Sequence, residues 1–123
     1  MVDTLGLLLT VYVHAANIHD TKAAEMVMKK GLEAYPSLAA FCGDEGYRKT
    51  AKEAAISLGK TLHISARLKN TFAVIPKRWV VERSFAWLNG SRRLAKDFEA
   101  KTHSSEAMVQ IAFIRINLNK LRY

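Results

Sequence analysis

Two acidic residues of the sequence stand in settings where carboxylates commonly bind metal ions or phosphate groups. The first, Asp44, follows a short apolar run and has glycines close on both sides, in Gly43-Asp44-Glu45-Gly46-Tyr47-Arg48. A carboxylate that directly follows a buried strand lies at a sheet edge, where α/β proteins often bind ligands. A polar turn that simply ends the strand explains the same residues equally well.

The second acidic residue, Glu82, lies in a strongly basic segment. The basic residues of this segment are Lys77, Arg78, Arg83, Arg92, Arg93, Lys96 and Lys101. Because arginine binds phosphate through paired hydrogen bonds, the segment is typical of a DNA-binding helix around a metal-binding carboxylate. In the alternative, Glu82 forms an ordinary surface pair with Arg78, which contributes roughly 0.2–0.5 kcal/mol.

The distribution of charge favours a polyanion-binding surface in the second half of the chain. Residues 1–66 carry seven basic and seven acidic side chains, whereas residues 67–123 carry twelve basic and four acidic ones, which accounts for the whole net charge of +8. A one-sided excess of this kind is the electrostatic signature of nucleic-acid binding. The alternative is a basic protein that its charge merely keeps soluble.

Length and composition predict one cytoplasmic domain. The 123 residues are enough for a single domain. The longest apolar stretch, from Leu5 to Val13, is too short to cross a bilayer, which takes about 20 apolar residues, and no signal peptide precedes it. The single Cys42 cannot form an internal disulfide, and we expect it to be a small buried side chain on a strand.

Strands and helices are predicted to alternate along the first half of the chain. We expect a turn at Thr4–Gly6 between a strand at Val2 and a longer one through Val13, and further strands at Leu38–Cys42 and Thr61–Ala66. Helices are predicted from a cap at Asp20 or Thr21 to Tyr35–Pro36 and from Lys49 to Leu58. A loop is expected from Asn70 to Pro76. This order favours a mixed α/β layer with helices packed on a sheet.

Two longer helices are predicted to follow. The first begins at Pro76 or Lys77 and runs to Lys96, with apolar residues that repeat every seven positions at Val80/Val81, Trp87/Leu88 and Leu94/Ala95. Its Trp79 either packs against another element or stacks on a flipped base. The second begins near Ser104, and its main apolar stripe consists of Met108, Ile111, Ile114, Leu118 and Leu121.

Four segments of the chain together point to one protein family. They are Val2–Leu8, Ala15–Asp20, Gly43–Arg48 and Pro76–Leu88, the last of which contains the run Arg-Trp-Val-Val-Glu-Arg-Ser-Phe-Ala-Trp-Leu. In this order they resemble the carboxyl-terminal half of bacterial insertion-sequence DDE transposases, the IS-five-like group. The resemblance covers essentially all 123 residues.

The resemblance implies an RNase H-like fold, a mixed sheet with flanking helices, and three metal-binding acids. Asp44 matches the second acid and Glu82 the third, and Arg78 matches the arginine of the family's Tyr-Arg-Glu-Lys signature. Ile75 and Asn89 stand where related groups have the Tyr and the Lys of that signature. Other residues must therefore make the DNA contacts that the Tyr and the Lys make in related groups. Arg92 and Arg93 lie close enough in sequence to supply them.

The family's first catalytic Asp lies upstream of the segment that matches Val2–Leu8. Asp3 aligns with a turn position and Asp20 with a helix cap, so we expect residues 1–123 to form a partial catalytic domain that lacks its first strand or strands and is inactive alone. The resemblance implies binding of transposon and target DNA in the cytoplasm, at the nucleoid. It also implies Mg²⁺ or Mn²⁺ in the completed site, a partner chain with the amino-terminal half, and a homo-oligomer. The rivals are a non-catalytic nucleic-acid-binding module and a degenerate transposase remnant.

Overall fold

The computed structural model describes residues 1–65 and 76–122. The described helices are α1 (Ala24–Ala34), α2 (Thr50–Ser57), α3 (Pro76–Asn89) and α4 (Thr102–Leu121), and the strands are β1 (Ala40–Asp44) and β2 (Thr61–Ser65). Short 3₁₀ turns lie at Asp20–Ala23, Glu45–Tyr47 and Arg92–Leu94. The chain is therefore a mixed α/β domain. The predicted loop falls on residues 70–75, outside the described ranges, and Pro76 itself begins α3.

The strands and α2 form a compact β1–α2–β2 unit. β1 pairs with β2 in parallel, from Ala40 opposite Thr61 to Asp44 opposite Ser65. A parallel pair needs a crossover connection, and α2 provides it. This helix ends at Ser57, one residue before the predicted Leu58, and the predicted stop at Gly59 has a φ of 67° that suits a residue without a β-carbon. Both strands were predicted, and Asp44 is the last residue of β1 rather than the first residue after it.

Small side chains dominate the core between α1, α2 and β1. Its buried residues are Ala24, Met28, Phe41, Ala51, Ala54 and Ala55. The alanines let the helices approach the sheet closely, and Met28 and Phe41 are the large side chains of this core. Cys42 is exposed, because successive side chains of a strand point to opposite faces and its neighbour Phe41 takes the inner one. The expectation of a buried cysteine was wrong.

The amino-terminal segment forms a turn but not the predicted longer strand. Val2 bridges Leu8 in the antiparallel sense, and the Asp3 carboxylate accepts hydrogen bonds from the N–H groups of Leu5 at 2.9 Å and Leu7 at 2.8 Å. This confirms the Thr4–Gly6 turn. Through Val13 the described chain joins no strand; side chains of α1 and α4 bind its backbone instead.

Two helix boundaries differ from the prediction. His19, not Asp20 or Thr21, caps the first helical segment, since its Nδ1 accepts a hydrogen bond from the Thr21 N–H at 3.3 Å. Helix α3 ends at Asn89 instead of Lys96, because Asn89, Gly90 and Ser91 are all weak helix formers. Arg92 then begins a separate 3₁₀ turn, so the predicted long basic helix is interrupted.

Helix α4 turns a different face inward from the one its apolar stripe predicted. Ala112 and Phe113 are its buried residues, and the helix contacts α3. Met108 is half-buried, whereas Ile111, Ile114, Leu118 and Leu121 are exposed. No helix within residues 1–65 and 76–122 is both long and apolar enough to span a bilayer.

Candidate metal and nucleic-acid site

A cleft of about 810 Å³ is lined by both of the predicted acidic residues. Its walls come from the amino-terminal turn, α1, β1 and α3, and its floor includes the apolar Met28 and Phe41. Both Asp44 and Glu82 line it, although they come from a strand end and a helix that are distant in sequence. The contact between α3 and β1 produces this arrangement.

Asp44 is held in a defined turn at the carboxyl end of β1. Its Oδ1 accepts a hydrogen bond from the Gly46 N–H at 3.0 Å and thereby caps the following 3₁₀ turn. A β-carbon at position 46 would lie 3.2 Å from this oxygen, so glycine makes the close approach possible. The side chain is exposed to solvent. The carboxylate is thus oriented by its own loop and accessible to a ligand.

Glu82 is paired with Arg78 one turn earlier on α3. The Arg78 Nε donates to Glu82 Oε1 at 2.9 Å, and the two side chains are 51% and 52% exposed. An exposed pair at this spacing contributes about 0.3–0.5 kcal/mol. Such a weak contact leaves Glu82 able to exchange Arg78 for a stronger ligand.

Asp20 and Tyr47 lie beside Asp44, a placement that sequence reasoning missed. Burial raises the pKa of Tyr47, and the nearby carboxylates of Asp20 and Asp44 raise it further. A β-carbon at Gly46 would also touch Thr21 at 3.9 Å, so the start of the helical segment lies against the Asp44 turn. In the sequence, Asp20 is recognisable only as an acidic residue at the start of a helix. This signal does not indicate that it lies near the end of β1.

The carboxylates of the cleft do not by themselves form a complete metal site. Among the described residues, no three His, Cys, Asp or Glu side chains are grouped closely enough to hold an ion. Asp3 also lines the cleft, but its Oδ1 already accepts the two N–H groups of its turn. Asp44 and Glu82 supply oxygen ligands of the kind that Mg²⁺ prefers. Their donor chemistry fits one ion, with coordination left for further ligands.

The predicted DNA-binding residues are divided between two regions. Lys77 and Arg78 line the cleft. Arg92, Arg93 and Lys96 are exposed but are not among its lining residues. They follow the end of α3 at Asn89 and so do not continue the helix that lines the cleft. Arg93 also binds Glu99 at 2.7 Å. Of these predicted residues, only Lys77 and Arg78 line the cleft together with the candidate carboxylates, where one phosphate could contact both kinds of side chain.

Arg83 is committed to contacts within the protein. Its Nη2 donates to the Leu5 carbonyl at 2.8 Å, and its guanidinium lies 5.0 Å from the centre of the Trp87 ring. The Lys120 ammonium also lies over that ring, at 3.1 Å from its centre. Burial lowers the pKa of Lys120, and the nearby Arg83 lowers it further, although Asp3 opposes the change. This cluster anchors the amino-terminal turn and α4 to α3.

Comparison with known proteins identifies the class. Residues 41–119, more than half of the chain, match the family model of the transposase DDE domain. The chain belongs to this family, and the matched span contains both Asp44 and Glu82. No curated protein and no solved structure matches it.

Proposed function

We propose that this chain is the carboxyl-terminal part of an RNase H-like transposase catalytic domain of the IS-five-like group and acts in DNA cleavage and strand transfer. Membership of the transposase DDE family supports the reaction class. The observation that carries the assignment of the site is the convergence of Asp44 and Glu82 on one cleft.

In this proposal Asp44 and Glu82 bind Mg²⁺ or Mn²⁺. The metal would stabilise charge that develops on phosphate oxygens during in-line displacement. The hydrogen bond from Gly46 orients the Asp44 carboxylate, and Glu82 leaves its weak pair with Arg78 on binding. Lys77 and the released Arg78 then hold the DNA backbone beside the carboxylates, since guanidinium and ammonium groups are good phosphate ligands.

The isolated 123-residue chain is proposed to be inactive. Two carboxylates leave the coordination of a two-metal site unfilled, and the described residues group no third ligand with them. A third carboxylate would then come from another segment, carried on the amino-terminal half of the enzyme. The cleft beside β1 is open and partly apolar, which suits the packing of such a segment against this strand.

Metal titration and DNA assays test these assignments separately. Binding of Mn²⁺ to the purified chain should be weak, and Asp44→Asn or Glu82→Gln should weaken it further. The matched control is Glu53→Gln, an exposed carboxylate on α2 that does not line the cleft. Equal binding by all four proteins would reject the metal site. Mg²⁺-dependent cleavage by the isolated chain would instead reject only the proposed inactivity.

A second candidate function is binding of nucleic acid without catalysis. The concentration of the net charge of +8 in residues 67–123 favours it. In that case DNA binding would be independent of divalent metal and insensitive to Asp44→Asn and Glu82→Gln. Addition of the amino-terminal half of the enzyme would also fail to produce cleavage.

A further inference from the structure

The outer face of α4 carries an apolar stripe that the rest of the described chain leaves uncovered. We call it the outer stripe; it consists of Ile111, Ile114, Leu118 and Leu121, which are 56%, 58%, 56% and 82% exposed. Phe113 and Ala112 lie on the opposite side of the helix and are its buried residues. Large contiguous apolar patches on the surface of a folded domain mark interaction sites.

The spacing within the outer stripe matches a helical partner. Its residues are separated by three, four and three positions, which is the a/d pattern of a coiled-coil seam. Side chains at this spacing form one narrow row along the helix and fit between those of a second helix. An extended peptide would not match it, because its side chains repeat every two residues.

The charge around the outer stripe determines the kind of helix that fits. From Ala107 to Arg122 the chain has three basic residues and no acidic residue. Arg115 and Arg122 each follow a stripe residue by one position and lie two helical turns apart, so they form one basic flank. The Arg115 guanidinium also donates to the Gly90 carbonyl at 3.2 Å, and Lys120 lies over Trp87. Two copies of α4 packed antiparallel would bring these flanks together and repel each other. Acidic residues on the partner would complement them.

We propose that the outer stripe of α4 is the docking site for an amphipathic helix of another protein, with Leu or Ile at a/d positions and Glu or Asp beside them. This surface is separate from the cleft that contains Asp44 and Glu82, and none of its residues lines that cleft. The proposal therefore does not depend on the metal site.

Two synthetic helical peptides test the proposal against the whole chain. They share the same a/d leucines and differ only in carrying glutamate or lysine at the flanking positions. Fluorescence anisotropy should show the acidic peptide binding about tenfold or more tightly than the basic one at low salt. The difference should shrink at high salt, where exposed charges are screened.

Variants of α4 locate the binding site. Ile114→Gln together with Leu118→Gln should weaken binding of the acidic peptide about tenfold or more, since two apolar contacts are lost. Arg122→Glu should reduce the preference for the acidic peptide. The control is Ile56→Gln on α2, which changes an equally exposed residue outside the stripe and should leave binding unchanged. Circular dichroism of each variant checks that the fold is retained.

Three results would overturn the proposal. One is equal affinity for the acidic and basic peptides, or binding by neither of them. Another is self-association of the chain in sedimentation experiments that Ile114→Gln with Leu118→Gln abolishes, which would make a second copy the occupant. The third is binding to vesicles of anionic lipid that the same double variant abolishes, which would assign the stripe to a membrane surface.

Discussion

The Ser84 hydroxyl shares its one proton between the carbonyl oxygens of Gly6 at 2.8 Å and Val80 at 2.9 Å, so the middle of α3 is joined to the amino-terminal turn. Ser84 is buried, and Arg83 beside it binds the carbonyl of Leu5. The same helix carries Glu82 two residues before Ser84. The turn therefore helps to set the position of a candidate metal ligand.

Ser84→Ala should destabilise the protein by about 1–3 kcal/mol, because a buried carbonyl loses its donor. Urea denaturation followed by circular dichroism measures this change. Ser57→Ala is the matched control, since the Ser57 hydroxyl binds only the nearby carbonyl of Ala54. Its effect should be smaller, and an equal loss of stability in both variants would contradict the role given to the turn.

Gly6→Ala should be destabilising for two reasons. Gly6 has a φ of 82°, and a left-handed conformation costs a residue with a β-carbon roughly 1–2 kcal/mol. An added β-carbon would also lie 2.9 Å from the Ser84 hydroxyl oxygen. In the Ser84→Ala background the steric part of the cost should fall, which a double-mutant cycle in urea can detect. Strict additivity of the two changes would argue against direct contact.

The carboxylate of Glu106 should stabilise the protein in a pH-dependent way. Burial raises its pKa, but hydrogen bonds from Lys30 at 2.8 Å and from the Val13 N–H at 2.9 Å lower it, and the net pKa is below the ordinary value. A lowered carboxylate pKa gives stability that is present above the unfolded value of about 4.3 and is lost as the pH falls through the folded value. Stability should therefore decrease on acidification below about pH 4.

Glu106→Gln tests this assignment, because it keeps the shape and removes the charge. It should cost about 1.5–3 kcal/mol near neutral pH, the range for hydrogen bonds to charged groups. The difference from the unaltered protein should shrink as the pH falls through the lowered pKa of Glu106 and the carboxylate becomes protonated. Glu33→Gln, at an exposed position of α1, should change little at either pH. A pH-independent loss would show that charge is not the cause.

Arg78 and Arg83 lie on the same helix but should have different roles, Arg78 in DNA binding and Arg83 in the stability of the fold. Lys77→Ala or Arg78→Ala should weaken DNA binding and reduce the slope of log affinity against log salt by about 1 for each lost phosphate contact. Arg83→Met should instead lower stability and leave that slope unchanged, because its guanidinium already binds Leu5 and stacks on Trp87. Anisotropy titrations across a salt series measure the slopes, with Lys52→Ala as the control on α2.

Local signals in the sequence predicted the central unit of the fold well. Gly59 marks the end of α2, and the apolar run before Asp44 marks β1. Each depends on nearby residues, so short-range patterns are sufficient. Placement of Asp44 at a strand end followed directly. That Asp44 and Glu82 would line one cleft was expected only through family resemblance, because nothing in the spacing of the two residues indicates that α3 contacts β1.

Predictions that depend on distant partners were less successful. The segment through Val13 has strand-like composition, yet Lys30 and Glu106 bind its backbone in place of a neighbouring strand. The apolar spacing of α4 predicted one main stripe, but Phe113 and Ala112 are the residues that the fold buries, and Ile111, Ile114, Leu118 and Leu121 are exposed. The low helix propensity of Gly90 indicates the observed end of α3, whereas the seven-residue apolar repeat indicated a longer helix.

The hydrogen bond between Ser84 and Gly6 also bears on the order in which the protein folds. It closes a loop of 78 residues, whereas β1, α2 and β2 are consecutive in the chain. Contacts between nearby residues form faster than those that close long loops, which cost more entropy. We therefore expect the β1–α2–β2 unit to become protected from hydrogen exchange early in refolding and α3 to dock later. The turn that orients Asp44 would then form before the docking of α3 brings Glu82 to the cleft.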